Sequence, residues 1–306
     1  MTSRLYPATK WLFTQVFRQL KVLGLHRAMT PLNFSVLTLY VAGVIVLEKR
    51  QTGTQIARWL PGREHDALNR LLRTVPLSTS QLFRVVMAWA SRMGVGYLCI
   101  DDVVVSKPYS RHNRWVGWTW STSEKRKVRG FHVVVLLWCA AGWRIPVAFR
   151  LWRPKASCHK RRYRKKTDLA AEMLRQVAMT NLAVSYVTGD TLYSGHRMCK
   201  LVRRLGWDWV GVLHPNTTLF CRSRRLSANA LSNTLRLKWR ERLGVRAVSL
   251  TGYSAKYGHL RLVVTQNRHG NCEVLACSNL QADLTSIVLC KRSRWSIETV
   301  FRDAKQ

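Results

Sequence analysis

Apolar positions recur three and four residues apart over the first third of the chain, then switch to alternation. Leu20, Leu23 and Leu25, then Leu37, Tyr40, Val41, Val44 and Ile45, then Leu68, Leu71 and Leu72, then Leu82, Val85, Val86 and Trp89 keep the spacing that lines one face of a helix. Residues 1–93 are therefore expected to be a helical region. The run Phe34 to Leu47 is apolar almost throughout but shorter than the roughly 20 residues needed to cross a bilayer, so it predicts a core helix and no membrane partner. Thr54 to Leu60, the Pro61-Gly62 turn and Arg63 to Arg73 predict a short helix, a turn and a second helix, as in a helix-turn-helix reader. The second helix would bury Ala67, Leu68, Leu71 and Leu72 and leave Arg63, Asn69, Arg70 and Arg73 free to meet DNA. An ordinary helical hairpin with a solvated basic face fits the same residues.

Beyond Gly94 the pattern is that of strands. Tyr97 to Val105 (YLCIDDVVV) is β-branched and apolar on both sides of an Asp-Asp pair, as in a central strand covered on both faces. Phe131 to Trp138 and Ile145 to Trp152, joined around Ala141-Gly142, predict an antiparallel meander. A helix over Thr167 to Val177, a strand over Ala183 to Thr188 and a helix through Met198 to Leu205 follow. The order β, β, β, α, β, α is that of a ribonuclease-H-like core, an α/β (α+β) fold with a mixed sheet. Short alternating stretches from Trp207 to Ala276 read as a β-rich insertion, and a last helix starts near Asp283. The expected organisation is thus a helical N-terminal region with the candidate DNA reader (1–93), the first part of the ribonuclease-H-like core (94–206), a β-rich insertion (207–282) and a final helix (283–306). That helix ends one residue after Lys305 with no Gly or Asn cap, which suggests truncation.

Composition supplies a partner. The 306 residues carry 51 Lys+Arg against 15 Asp+Glu, a formal charge of +36, which a polyanion would neutralise most readily. Hydrophobic content of 47% with 13 Trp is enough for a sizeable core, so disorder is excluded. The eight cysteines are scattered with no Cys-x-x-Cys pair, so reduced thiols are expected rather than a disulfide framework or zinc site. The N-terminus lacks an uninterrupted apolar stretch and a small-residue cleavage site, which points to a cytoplasmic location.

In so basic a chain, acids in apolar surroundings need a reason. Asp101 and Asp102 interrupt an apolar strand, where an unpaired carboxylate costs several kcal/mol unless a cation or strong donors meet it. Asp190 ends another strand, and Glu298 lies in the last helix. At 100° per residue, Arg294, Glu298 and Lys305 fall within about 40° of one another on one helix face. Each acid has a plain structural reading: a turn cap or pairing with a buried Arg for the Asp pair, an N-cap for Asp190, an i, i±4 ion pair with Arg294 and Arg302 for Glu298. Jointly, carboxylates on two core strands and a late helix match what a ribonuclease-H-like fold uses to hold two divalent ions for phosphoryl transfer.

The segments Gly189-Asp190-Thr-Leu-Tyr193 and Arg294-Trp295-x-Ile297-Glu298-x-x-Phe301-x-x-x-Lys305 resemble the DDE transposases of bacterial insertion sequences, in the subgroup with a β-rich insertion before the catalytic Glu. That subgroup's signature is Tyr-x-x-Arg-x-x-x-Glu-x-x-x-x-x-x-Lys. Arg294, Glu298 and Lys305 stand at its spacings, whereas Lys291 replaces the Tyr. The first Asp of the family precedes a Thr or Ser by one position, a hydroxyl that Asp101-Asp102-Val103 lacks. Strand alternation lets only one of the pair face a metal, with Asp101 favoured and Asp102 the alternative.

The resemblance implies that Asp101, Asp190 and Glu298 hold two Mg²⁺ ions, with Mn²⁺ as a substitute. Water then nicks the element end, and the freed 3′-hydroxyl attacks a target phosphodiester. It implies double-stranded DNA, both element ends and target, as the partner, a homodimer assembled on that DNA, and a nucleoid location. Lys291, Arg294 and Lys305 would contact phosphates. A non-catalytic repressor-like derivative and a nuclease of the same fold without strand transfer are the alternative readings.

Two further runs alternate basic and aromatic residues. Arg111 to Trp120, with Trp115, Trp118 and Trp120, and Cys158 to Lys166, with Arg161, Arg162 and Lys165, could track a DNA backbone or stack exposed bases. For the first, a hairpin whose Trp residues pack on the core is the plain alternative; for the second, it is a solvated basic loop at one edge, though so dense a run of like charge favours a phosphate partner. Related enzymes hold a flipped base from the insertion, where Trp207, Trp209 and Trp239 lie; core packing is the favoured reading for each.

Overall fold

The computed structural model describes residues 7–305 apart from 48–51, 60–64, 75–78, 114, 123, 141, 156–157 and 159–161. The chain divides into two compact units, residues 1–92 with 302–306, and residues 93–301. The first is helical: α1 (Pro7–Val22), α2 (Pro31–Val46), α3 (Gly53–Trp59), α4 (His65–Thr74) and α5 (Thr79–Ala90). Thr30 starts α2 as an N-cap, accepting the Asn33 N–H at 3.3 Å, and Pro31 follows in the first turn, where its missing N–H removes no bond. Val36 of α2, Ile56 of α3 and Leu68 and Leu71 of α4 form one buried cluster. Gly43 lets α2 and α3 approach closely, since a Cβ there would lie 2.5 Å from Ile56 Cγ2. No helix among the described residues is long and apolar enough to cross a membrane.

The second unit is built on a sheet that starts with β1 (Gly96–Ser106), β2 (Gly117–Ser121), β3 (Arg126–Ala140) and β4 (Trp143–Trp152), then continues through β5 (Val184–Gly189) and β6 (Asp208–Val212). β1 is central. It pairs antiparallel with β3 and parallel with β5, while β4 pairs with β3 and β6 runs parallel to β5. The order β4-β3-β1-β5-β6, with α6 (Lys166–Ala178) before β5 and α7 (His196–Arg204) after it, is the ribonuclease-H-like arrangement. Parallel neighbours need crossovers, and these two helices supply them. Trp209 to Leu213, grouped with the insertion by its alternation, falls mostly in β6 and so contributes the core's fifth strand.

The inserted strands extend the same sheet. They are β7 (Thr218–Cys221), β8 (Arg224–Ser227), β9 (Lys238–Arg240), β10 (Val245–Ser254), β11 (Gly258–Gln266) and β12 (Cys272–Cys277), with α8 (Ala228–Thr234) between β8 and β9. β12 pairs with β6, and β11, β10, β7 and β8 follow outward. The final helical stretch is two helices, α9 (Leu284–Ser293) and α10 (Trp295–Lys305), separated at Arg294. Asp283 caps α9 by accepting the N–H groups of Thr285 and Ser286 at 2.8 and 3.0 Å. Ile287, Val288 and Cys290 of α9 pack on Val210, Val263, Leu275 and Cys277. Ile297 of α10, fully buried, packs with Cys99, Leu137 and Cys139, flanked by Val300 and Phe301.

Candidate active site

Side chains on a strand alternate between faces, and that alternation separates the two neighbouring aspartates. Cys99, in register with Asp101, lies under Ile297 of α10, so Asp101 is on the α10 face. There Arg294 Nη1 donates to Asp101 Oδ2 at 3.0 Å and to Glu298 Oε1 at 3.3 Å. One guanidinium nitrogen thus joins two carboxylates carried by a central strand and a late helix. Burial above all, with the charge of Asp190 beside it, pushes the Asp101 carboxyl up to about 6, against the opposing pull of the Asp102 N–H and Arg294. Asp101 is a buried acid whose charge is only partly compensated.

Asp102 faces the other way. Lys166 Nζ, at the start of α6, donates to its Oδ2 at 2.6 Å, His132 Nδ1 of β3 lies 3.3 Å from the same oxygen, and the Tyr193 hydroxyl donates to Oδ1 at 3.0 Å. Burial alone would raise this carboxyl, but the bonds to His132, Lys166 and Tyr193 hold it below the ordinary value. The network reaches further: His132 Nε2 is bonded to the Thr119 hydroxyl of β2, and Lys166 sits over the Trp152 ring at 5.0 Å.

Asp190 follows the last residue of β5 and turns its Oδ1 back onto the N–H groups of Leu192 and Tyr193, at 2.9 and 3.2 Å. It closes a turn rather than capping α7, whose N-cap is Gly195, while its charge is still felt at Asp101. Tyr193, 1% exposed, ties this turn to β1 through Asp102. Gly189 makes that possible, because a Cβ there would meet Tyr193 Cβ at 2.7 Å.

The structure thus brings Asp101, Glu298 and Arg294 into direct contact, with Asp190 close enough to act on Asp101. Among the described residues no three His, Cys, Asp or Glu side chains are gathered as a metal-holding group. Arg294 is bonded to both Asp101 and Glu298, and Asp190 is engaged by backbone donors. The donor chemistry nevertheless fits a hard divalent cation, since the groups are carboxylate oxygens and Asp101 is short of positive charge.

The expected DNA contacts fall in different places. Arg70 and Arg73 are exposed on α4, Ala67 is half-buried rather than buried, and the Leu72 side chain lies outside the described residues. Arg162 and Lys165 are exposed ahead of α6. Lys291 forms an ion pair with Glu273 of β12 at 2.5 Å rather than standing free. Arg63, Arg161 and the side chain of Lys305 lie outside the described residues. Trp209 is buried and stacked on Tyr257, with ring centroids 5.7 Å apart, whereas Trp239 is exposed on β9 and Trp207 half-buried. The sequence pattern gives His132 no role, places Lys166 only in a basic run and Tyr193 only in a motif segment, and does not join the three to Asp102. The one signal for His132 was a lone ionisable residue inside the apolar strand Phe131 to Trp138.

A phosphoryl-transfer class with strand-borne and helix-borne carboxylates is what this fold and site define. The chain belongs to the DDE superfamily endonucleases, whose family signature matches residues 25–244; DDE nucleases generally use divalent metal ions. Comparison with curated proteins gives no match. Among solved structures, the chain is similar to the piggyBac transposase in a synaptic complex with hairpin DNA, at a TM-score of 0.48 and 12% identity. The similarity covers 95% of this chain and 66% of that one.

Proposed function

We propose that the chain is a transposase, cutting phosphodiester bonds at the ends of a mobile DNA element and joining the freed 3′-hydroxyl to a target strand. The observation that carries this reading is the meeting of Asp101 and Glu298 at one nitrogen of Arg294, which lies 193 residues from Asp101 in the chain, with Asp190 beside them. Asp101, Asp190 and Glu298 would hold Mg²⁺, two ions in the arrangement such carboxylate sets serve, with Mn²⁺ able to replace it. Bound there, divalent ions supply activation of the attacking oxygen and charge stabilisation at the leaving oxygen.

The residues themselves do the positioning. Arg294 is an exchangeable counter-ion: a phosphodiester offers its planar fork two acceptors, and moving onto it frees Asp101 and Glu298. Asp102 stays bonded to His132, Lys166 and Tyr193, and through Tyr193 it fixes the turn that carries Asp190. Exposed Arg70, Arg73, Arg162 and Lys165, within a chain of +36, supply phosphate contacts on double-stranded DNA. Two element ends call for two such sites, hence a pair of chains on the DNA, at the nucleoid.

The test is cleavage of a labelled duplex carrying an element end, with Mg²⁺. Asp101→Asn, Asp190→Asn and Glu298→Gln should each abolish cutting while leaving duplex binding within a few-fold. Undiminished cutting by the Asp190 variant would overturn the assignment.

A further inference from the structure

Two of the largest exposed apolar side chains in the molecule stand together on β2. Trp118 is 71% exposed and Trp120 57%, and the residue between them, Thr119, is buried. Register pairs Trp118 with Arg129 and Trp120 with Lys127, so both rings and both cations share one face of the β2–β3 ribbon. The opposite face, with Thr119, Ser121 and Val128, is buried. Alternation along β3 fixes which face this is. Arg129 and Lys127 are in phase with Val135, the partner of Asp101, and with Leu137 and Cys139, which pack under Ile297. The two indoles therefore stand on the face of the sheet that carries Asp101.

We propose that this face of the ribbon is a binding site for unpaired DNA bases, stacked on Trp118 and Trp120 while Lys127 and Arg129 meet the adjoining phosphates. The inference rests on the DNA-cleaving reading above for its biological setting, though not for its test. Indole rings offer a π-face to any base but no hydrogen-bond code, and a duplex keeps its base faces covered, so the chemistry selects single-stranded or unpaired DNA. Charge selects it too. The acid of the hairpin, Glu124, is bonded to Arg126 at 2.9 Å, leaving Lys127 and Arg129 to face the ligand, and a second copy of so basic a chain would meet like charge.

The dimensions match a strand running from the carboxylates. At about 3.4 Å per residue along β3, Arg129 and Lys127 lie about 20 and 27 Å from Val135. A strand spanning that distance would hold the stacked bases several nucleotides from a phosphate at Asp101. The ribbon is also wired to the site from behind, because Thr119, between the two indoles, is bonded to His132, which is bonded to Asp102.

The experiment uses the full chain and a fluorescently labelled oligothymidine in EDTA, so no cleavage is needed and an inactive chain would give the same reading. Trp118→Ala and Trp120→Ala should each weaken binding about five- to hundredfold, with duplex affinity nearly unchanged. Phe at both positions should keep most of the single-strand affinity, and because a ring is retained this variant also decides the matter if the alanine variants fold poorly. Lys127→Gln with Arg129→Gln should flatten the salt dependence by about 0.7 in log–log slope per phosphate. Unchanged oligothymidine affinity in the double alanine variant, an equal loss for duplex and single strand, or a drop in the sedimenting mass of the DNA-free chain would each overturn the proposal.

Discussion

Replacing Arg294 by Leu removes the one cation bonded to both Asp101 and Glu298. The two bonds differ in worth. The Asp101 and Arg294 side chains are only 14% and 18% exposed, whereas Glu298 is 46% exposed. Removing one partner of a buried pair costs about 3–5 kcal/mol, because the other charge stays behind uncompensated, while a half-exposed pair is worth about 1 kcal/mol or less. The Arg294→Leu variant should therefore lose about 3 kcal/mol at neutral pH without divalent ions, nearly all of it through Asp101. Hydrogen exchange of the slowest β1 amides reads this directly, since they open only with the unit that contains them; about 3 kcal/mol is roughly a hundredfold in protection. In an Asp101→Asn background the same substitution should cost about 1 kcal/mol or less, a coupling of about 2 kcal/mol or more. An equal loss in both backgrounds would refute the reasoning, because Arg294 would then act through packing rather than through the carboxylate.

Asp101 also sets a pH dependence. Its folded value of about 6 lies above the ordinary 3.8, so the folded chain holds a proton that the unfolded chain releases between those values. Stability should fall as pH rises from about 4 to 6, by about 3 kcal/mol at most, and urea titrations of Asp101→Asn should lack this slope. Tyr193→Phe removes a donor to a buried carboxylate and should cost about 1.5–3 kcal/mol, with cleavage falling further than duplex affinity because Asp190's turn loosens. A melting temperature equal to that of the parent chain would count against the bond. Gly43→Ala drives a Cβ to 2.5 Å from Ile56 Cγ2 and should cost about 1–3 kcal/mol; in an Ile56→Ala background, which lacks both γ carbons, the same substitution should cost less in thermal melts.

What sequence could reveal follows what is local. β1 is legible because its β-branched run is broken only by Asp101 and Asp102, and α2 because of the apolar run Phe34 to Leu47, although its Thr30 N-cap goes unread. The strand Trp209 to Leu213 was placed in the insertion because five alternating residues look the same in either setting; only pairing with β5 makes it core. The separation of α9 from α10 carries no Gly or Pro, so nothing in composition marks it. The role of Arg294 was half visible. Its spacing to Glu298 gives the i, i+4 pair, but the bond to Asp101 spans 193 residues and depends on how α10 docks over Cys99. His132, Lys166 and Tyr193 come from three separate elements, and no spacing rule joins residues that meet only across a sheet.

Why a strand should carry two adjacent acids becomes clear once each is assigned its face. Asp102 is fully engaged, with Lys166 from α6, His132 from β3 and Tyr193 from the turn after β5 converging on one carboxylate. It locks together the elements that position Asp190 and the root of the β2–β3 ribbon. Asp101, one residue away on the other face, has a single shared Arg294 and the repulsion of Asp190. A satisfied carboxylate cannot readily take a new cation, and an under-compensated one cannot hold its neighbours in place. If Asp101 holds divalent ions as proposed, anchoring and ion binding would conflict in one side chain, and the alternation of the strand divides them between neighbours. Exchanging the pair's surroundings is therefore a harsher perturbation than deleting either acid, since a reactive carboxylate on the α6 face would lie across the sheet from Glu298.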